Sequence, residues 1–302
     1  MARKKSRLLQ HAEYALYRLI AGAIRRASDE TVLRWGSRFG ALAGKILRGR
    51  DRLAMRNLRD TFPGKSEAER RTIIDECWRH FGREILGYIH LQSMAADEVL
   101  ERCPLVNRHL LEDGFAAGHG LVLISAHWGG WEVGGLALMA LSHKVVTVAR
   151  VLDNEFLERD LQRIRAKTGA TVVDRRAAAR PLMKALASNA MVVMLPDQAV
   201  IPREGILVPF LGRPAWTTHA PARMAVRQHS RIVFAFCIPD GTRHRLEFEE
   251  AIHVDQLSEG ERDPVALTKR INDVISARIA ARPELWLWMH DRWKGTGEAA
   301  DA

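Results

Sequence analysis

The sequence predicts an α/β fold: a mixed sheet flanked by helices, with amphipathic helices at the N-terminus. Three observations predict it. From Gly120 onward, short apolar runs of strand length alternate with longer stretches of helical periodicity. Residues 121–124, Leu-Val-Leu-Ile, are enclosed by glycines and pass into an Ala/Leu/Met-rich helical run at residues 136–141. Before Gly120, apolar residues recur at helical spacing behind N-cap signals.

The first element follows a basic tip at residues 2–7. Leu8, Leu9, Ala12, Ala15, Leu16, Leu19, Ile20 and Ala23 share one helical face, while His11, Glu13 and Arg18 interrupt the apolar run. That run falls well short of the roughly 20 residues a span requires. It reads as an amphipathic helix with arginine flanks, fit for a membrane interface or for packing on the core. Ser28 caps a second helix through Trp35, Phe39, Leu42 and Leu47. Its Gly36, Gly40 and Gly44 give a smooth face that lipid or protein can cover. Ser66 and Glu69 form a capping box for a helix through Ile73, Ile74, Cys77, Trp78, Phe81 and Ile85. Between them, Asn57 to Pro63 reads as a helix end and a turn, without chemistry.

After Gly120 the strand-like runs are residues 145–148, 171–173, 191–195, 207–210 and 231–238, with an added edge strand at 243–249. Helical stretches lie at 155–167, 177–188 and 217–228, and a closing helix at 263–281 turns Val265, Leu267, Ile271, Val274, Ile275 and Ile279 inward. Two units follow: residues 1–50, membrane-associating helices, and 51–302, the catalytic domain.

The net charge of +10 is uneven. Residues 1–59 hold 15 Lys/Arg against 4 Asp/Glu, and the remainder 31 against 32. A groove for nucleic acid across the body is therefore excluded. The basic end reads as a solvated arm or as a surface for anionic headgroups, worth about 1 kcal/mol per basic residue. Cys77, Cys103 and Cys237 stand far apart, in no metal or redox spacing. Together with the lack of a signal-peptide pattern, this suggests a reducing compartment.

The candidate chemistry sits where residues 121–124 give way to helix, in Ser125-Ala-His127-Trp-Gly-Gly-Trp-Glu132. A histidine oriented by a carboxylate is the usual general base for a hydroxyl. Five residues do not share a helical face, so His127 and Glu132 meet only if Gly129-Gly130 bends the chain back. No Gly-x-Ser-x-Gly elbow is present, and no further ligand stands at a helical metal spacing. Asp197 ends one strand-like run and Arg150 follows another, both at positions where α/β folds expose polar groups.

His127-x4-Glu132 behind an apolar strand resembles the HX4(D/E) box of glycerolipid acyltransferases. Its setting, with Asn57-Leu58…Phe62-Pro63, Leu195-Pro-Asp197, Pro209-Phe210-x-Gly212…Thr217 and the Trp286–Lys294 ending, resembles the late lipid A acyltransferases, the lauroyl/myristoyl family. The resemblance implies a glycerolipid acyltransferase-like domain and no cofactor. It implies His127 and Glu132 as catalytic pair, Arg163 as a site cation, and Asp197 as a supporting or substrate-orienting group; Arg150, at the end of its strand-like run, is the second candidate for holding substrate phosphate. It further implies acyl carrier protein as donor, a lipid A precursor as acceptor, and the cytoplasmic face of a bacterial inner membrane as location. Another glycolipid or a lysophospholipid is the alternative acceptor. Other classes are an inactive membrane-surface protein and a metallohydrolase using His127 and Glu132 as ligands.

Overall fold

The computed structural model of the chain describes residues 6–296 apart from 142, 150–151, 168–169 and 175–176, and for residues 164–167 only the backbone. Four helices come first: α1 (Arg7–Arg26), α2 (Asp29–Ile46), α3 (Arg48–Thr61) and α4 (Glu67–Leu91). Ser6, Ser28 and Ser66 each cap a helix through the side chain, and Ser66 with Glu69 closes the expected capping box. The glycine face of α2 is covered by protein. Gly36 and Gly40 lie against Gly82 of α4, where a Cβ on Gly36 would sit 2.6 Å from the Arg83 Cα. His90 then ties the α1–α2 junction to the end of α4, through the Ile24 carbonyl at 3.0 Å and Asp29 at 2.9 Å.

The next elements are α5 (Ala96–Arg102), β1 (Leu105–Val106), α6 (His109–Ala116), β2 (Leu121–Ile124), α7 (Trp131–Met139), β3 (Val145–Ala149), α8 (Glu155–Lys167), β4 (Thr171–Asp174), α9 (Ala179–Ala187) and β5 (Met191–Met194). A hairpin, β6 (Ile206–Phe210) with β7 (Arg213–Thr217), precedes α10 (Ala220–Gln228), β8 (Arg231–Asp240), β9 (Arg243–Ile252), α11 (Glu259–Arg262) and α12 (Pro264–Ala281). Among the described residues the main sheet has seven strands in the order β1-β9-β8-β2-β5-β3-β4. Only the β8–β9 pairing is antiparallel, so the sheet is mixed.

β2 lies inside the sheet between β8 and β5. Val122 and Ile124 enter one core and Leu121 and Leu123 the other, all four fully buried. Burial on both faces is why this strand reads as an unbroken apolar run rather than an alternation. Three expectations need correction. Residues 207–210 form a strand, but in the separate hairpin, because Arg213 to Thr217 folds back on them. Thr217, expected in a helix, ends β7. β9 is not an edge strand, since β1 pairs along its outer side.

Candidate active site

His127 and Asp197 are brought together by strand register. Ile124, the last residue of β2, pairs with Met194, the last of β5. His127 and Asp197 each lie three residues further along parallel neighbours, at the carboxyl edge where α/β sheets expose their chemistry. The His127 Nδ1 and Asp197 Oδ1 are 2.8 Å apart, and the His127 backbone N–H donates to Asp197 Oδ2 at 2.8 Å. The Trp286 indole N–H donates to the same Oδ2 at 2.9 Å.

This carboxylate is 1% exposed, and every contact it makes here is with a donor. Burial alone would push its pKa up. The charge and hydrogen bond of His127, the indole and the backbone N–H outweigh that and hold it below the usual carboxylate value. An ionised carboxylate only accepts, so the neutral His127 ring carries its proton on Nδ1 and leaves the Nε2 lone pair free. Burial pulls the His127 pKa down, but the charge of Asp197, their hydrogen bond and the charge of Glu132 together raise it. The ring is 23% exposed, enough for a substrate to reach.

The hydrogen-bonded carboxylate is therefore that of Asp197, where sequence spacing pointed to Glu132. Glu132 lies on the first turn of α7, exposed, and acts on the imidazole through its charge. The glycines do bend the chain. Gly129 has φ +60°, and a Cβ there would strike the Cys237 carbonyl. A Cβ on Gly130 would sit 2.6 Å from His244 and 2.7 Å from the Glu84 carboxylate. The Gly129 N–H donates to the Leu285 carbonyl and the Gly130 N–H to that of Cys237, both at 2.9 Å. Both amides are thus consumed by the fold and are unavailable to an oxyanion.

The turn is clamped from two sides. The chain around Trp286 forms an antiparallel bridge to Trp128, with the Leu287 N–H on the His127 carbonyl at 3.1 Å. From α4, His80 Nε2 donates to the Gly129 carbonyl at 3.3 Å, and Glu84 beside it accepts from His244 at 3.0 Å. Trp286, Trp288 and Trp293 are buried, so the tryptophan-rich ending staples the body. Phe210 is core as well, against Trp286. Asn57 holds the carbonyls of Trp288 and His290 at 3.0 and 2.9 Å, which fixes its structural role. The His290 Nε2 accepts from the Ala199 N–H at 3.0 Å, so this ring braces the segment after Asp197.

Sequence reasoning missed Trp286 and Arg292. Arg292 is fully buried, donates to the Trp216 carbonyl and the Thr217 hydroxyl, and stacks on Phe210. Burial lowers its pKa to about 10, and the attraction of Asp197 opposes the fall. The ending that contains them carried the resemblance, but no local spacing shows what either side chain touches, since both reach the site from the C-terminal strap. Arg163 sits on α8, 68% exposed, 3.5 Å from Asp160; no described contact joins it to His127. Arg150 lies outside the described residues. Among the described residues no cluster of His, Cys, Asp or Glu suits a metal ion.

Trp286→Phe tests the indole's part. It removes one hydrogen bond to a buried charge, worth about 1.5–3 kcal/mol. Urea unfolding is expected to show a loss of that size; coincident unfolding curves would mean that the indole does not hold Asp197.

A family model described as "Bacterial lipid A biosynthesis acyltransferase" matches residues 2–295. The lipid A biosynthesis myristoyltransferase of Escherichia coli (strain K12) is 24% identical over 255 residues, 84% of this chain and 78% of that protein. The lipid A biosynthesis acyltransferase of Haemophilus influenzae is 25% identical over 86% of this chain and 83% of its own length. The phosphatidylinositol mannoside acyltransferase of Mycobacterium tuberculosis (strain ATCC 25618 / H37Rv) is 28% identical over 61% of this chain and 57% of its own length.

Proposed function

The chain belongs to the bacterial lipid A biosynthesis acyltransferase family and is an acyltransferase; from that premise we propose transfer of a fatty acyl group from acyl carrier protein to a hydroxyl of a lipid A precursor. The observation that carries the mechanism is the His127–Asp197 pair at 2.8 Å, which leaves the Nε2 of a partly exposed ring as its proton acceptor. Nε2 takes the proton of the acceptor hydroxyl as the oxygen attacks the donor thioester. Asp197 fixes the tautomer and, with Glu132, stabilises the imidazolium that forms. The imidazolium then returns the proton to the departing thiolate.

The tetrahedral oxyanion needs donors other than Gly129 and Gly130. The first-turn amides of α7, which no side chain caps, and a site arginine fill this role. Neither a serine nor a cysteine intermediate is needed: all three cysteines are buried, and burial pushes the Cys77 thiol up to about 12.

The reaction takes place at a membrane surface. No described helix is long and apolar enough to cross a membrane. α1 instead exposes Leu8, Leu16 and Leu19, at 82, 59 and 74%, with Arg25 and Arg26 in its last turn. An apolar face with basic flanks suits an interfacial helix on the cytoplasmic leaflet of the inner membrane.

Phosphates on the acceptor call for fixed cations, and Arg163 and Arg150 are the candidates. Arg163→Lys keeps the charge but loses the planar fork. It is expected to lower transfer to phosphorylated glycolipid by about tenfold, with the fold unchanged. Transfer of labelled acyl groups by purified protein, read by mass spectrometry, checks this. Equal use of a dephosphorylated acceptor, or preference for a neutral lysolipid, would remove the lipid A precursor and leave the acyltransferase.

A further inference from the structure

Three titratable side chains that the chemistry at His127 does not use are buried together behind the catalytic turn. His80 and Glu84 lie one turn apart on α4, His244 meets them from β9, and all three are buried. Packing alone does not call for them, because a buried carboxylate costs free energy that apolar side chains of similar volume would avoid. Their hydrogen bonds show where they act.

His244 takes up the charge. Its Nε2 donates to both Glu84 oxygens, at 3.0 and 3.2 Å. Burial pulls the His244 pKa down, but the charge and hydrogen bond of Glu84 raise it above the ordinary histidine value. Burial pushes the Glu84 pKa up, but His244 and His80 outweigh that and hold it below the usual carboxylate value. His80 differs. Burial keeps its pKa below the ordinary value, so the ring is neutral and has one N–H to give. That N–H is on Nε2 and goes to the Gly129 carbonyl at 3.3 Å. The Nδ1, 3.6 Å from Glu84, makes no hydrogen bond among the described residues. An unpaired carboxylate at that distance would draw the ring proton to Nδ1. With His244 paired to Glu84, the proton stays on the atom that faces Gly129.

The Gly129 carbonyl and the Gly130 N–H belong to one peptide group. His80 holds its oxygen, and the Cys237 carbonyl accepts from its N–H at 2.9 Å. Glu84 and His244 close on the same group from behind. A Cβ on Gly130 would sit 2.7 Å from the carboxylate and 2.6 Å from the imidazole ring. This peptide lies two residues beyond His127 and carries the chain into the first turn of α7. A directed hydrogen bond fixes the plane of a peptide, which apolar packing does not.

We propose that His80 is a positioning residue for acyl transfer: supported by Glu84 and His244, it fixes the Gly129–Gly130 peptide and so holds His127 where Nε2 meets the acceptor hydroxyl. His80 acts through the backbone and takes no proton in the reaction. This role rests on His127 acting as the general base.

The experiment compares three substitutions in the full-length protein. His80→Gln puts an amide N–H where Nε2 stood and cannot ionise. His80→Met fills the same space without a donor, and His80→Asn keeps the amide but is one methylene too short. Initial rates of labelled acyl transfer to phosphorylated glycolipid, normalised to folded protein, give kcat and KM. His80→Met is expected to lower kcat by about tenfold or more with KM within about twofold, because a displaced base weakens the transition state and not substrate binding. His80→Gln, with its donor restored, is expected to keep at least about a third of the wild-type kcat. Where His80→Met does not fold, His80→Asn carries the comparison.

Wild-type kcat in folded His80→Met or His80→Asn would leave the histidine a packing residue and overturn the role. A His80→Gln rate as low as that of His80→Met would overturn it too, since the donor would then be irrelevant. His127→Ala at the wild-type rate would remove the base and the positioning role together. An inactive His127→Ala beside a fully active His80→Met removes the positioning role alone.

Discussion

His127→Ala is expected to abolish acyl transfer, by about 10²–10⁴-fold or more, while the protein stays folded. The ring is partly exposed, and its carbonyl and N–H, which hold Leu287 and Asp197, belong to the backbone and survive the substitution. What disappears is the Nε2 lone pair. Asp197 then loses the imidazole N–H that it accepts from, so some stability is lost as well. A variant that unfolds as the wild type does and turns over at the wild-type rate would remove His127 from the mechanism.

The second large effect belongs to Asp197→Asn. The carboxylate accepts from an imidazole on one oxygen and from two N–H groups on the other. An amide has one oxygen, so its NH2 must face one of these donors. If it faces the imidazole, it donates to Nδ1 and drives the ring proton to Nε2, the atom that must accept. The rate is expected to fall by roughly 10²–10⁴-fold.

The pH profile changes with a defined sign. In the wild type, Asp197 and Glu132 raise the His127 pKa against burial, so the acid limb lies above the ordinary histidine value. Activity is present above that limb and is lost as pH falls through it. Removing the Asp197 charge leaves burial less opposed, and the limb is expected to move to lower pH. Glu132→Gln, which removes charge without touching the Nδ1 bond, is expected to move it the same way by less. Initial rates across pH check both; a limb that rises in Asp197→Asn would contradict the electrostatics.

Stability changes too. The Asp197 pKa is depressed in the fold, so its contribution is present above the unfolded carboxylate pKa and lost as pH falls through the folded one. The Asn variant is therefore expected to lack part of the acid sensitivity that the wild type shows in unfolding.

Local sequence determined much of this protein. Leu121 to Ile124 had to be a buried strand, because four apolar residues between glycines have no polar face to give to water. Ser66 and Glu69 had to start a helix, because each satisfies the other's backbone donor. The step from strand to helix at Gly129 and Gly130 placed His127 at the edge of the sheet, and the motif carried the family.

Tertiary structure decided which carboxylate meets the imidazole. Glu132 is five residues from His127 and Asp197 is seventy, yet the parallel register of β2 and β5 brings the distant one into hydrogen-bond contact. Register is a property of two strands, and neither strand carries it alone. The same holds for Trp286, which reaches Asp197 only because the C-terminal strap runs antiparallel beside Trp128. The glycine face of α2 was legible as smooth, but only Gly82 on another helix could make it buried. Spacing along the chain thus singled out His127, and packing between distant segments selected the carboxylate that it meets.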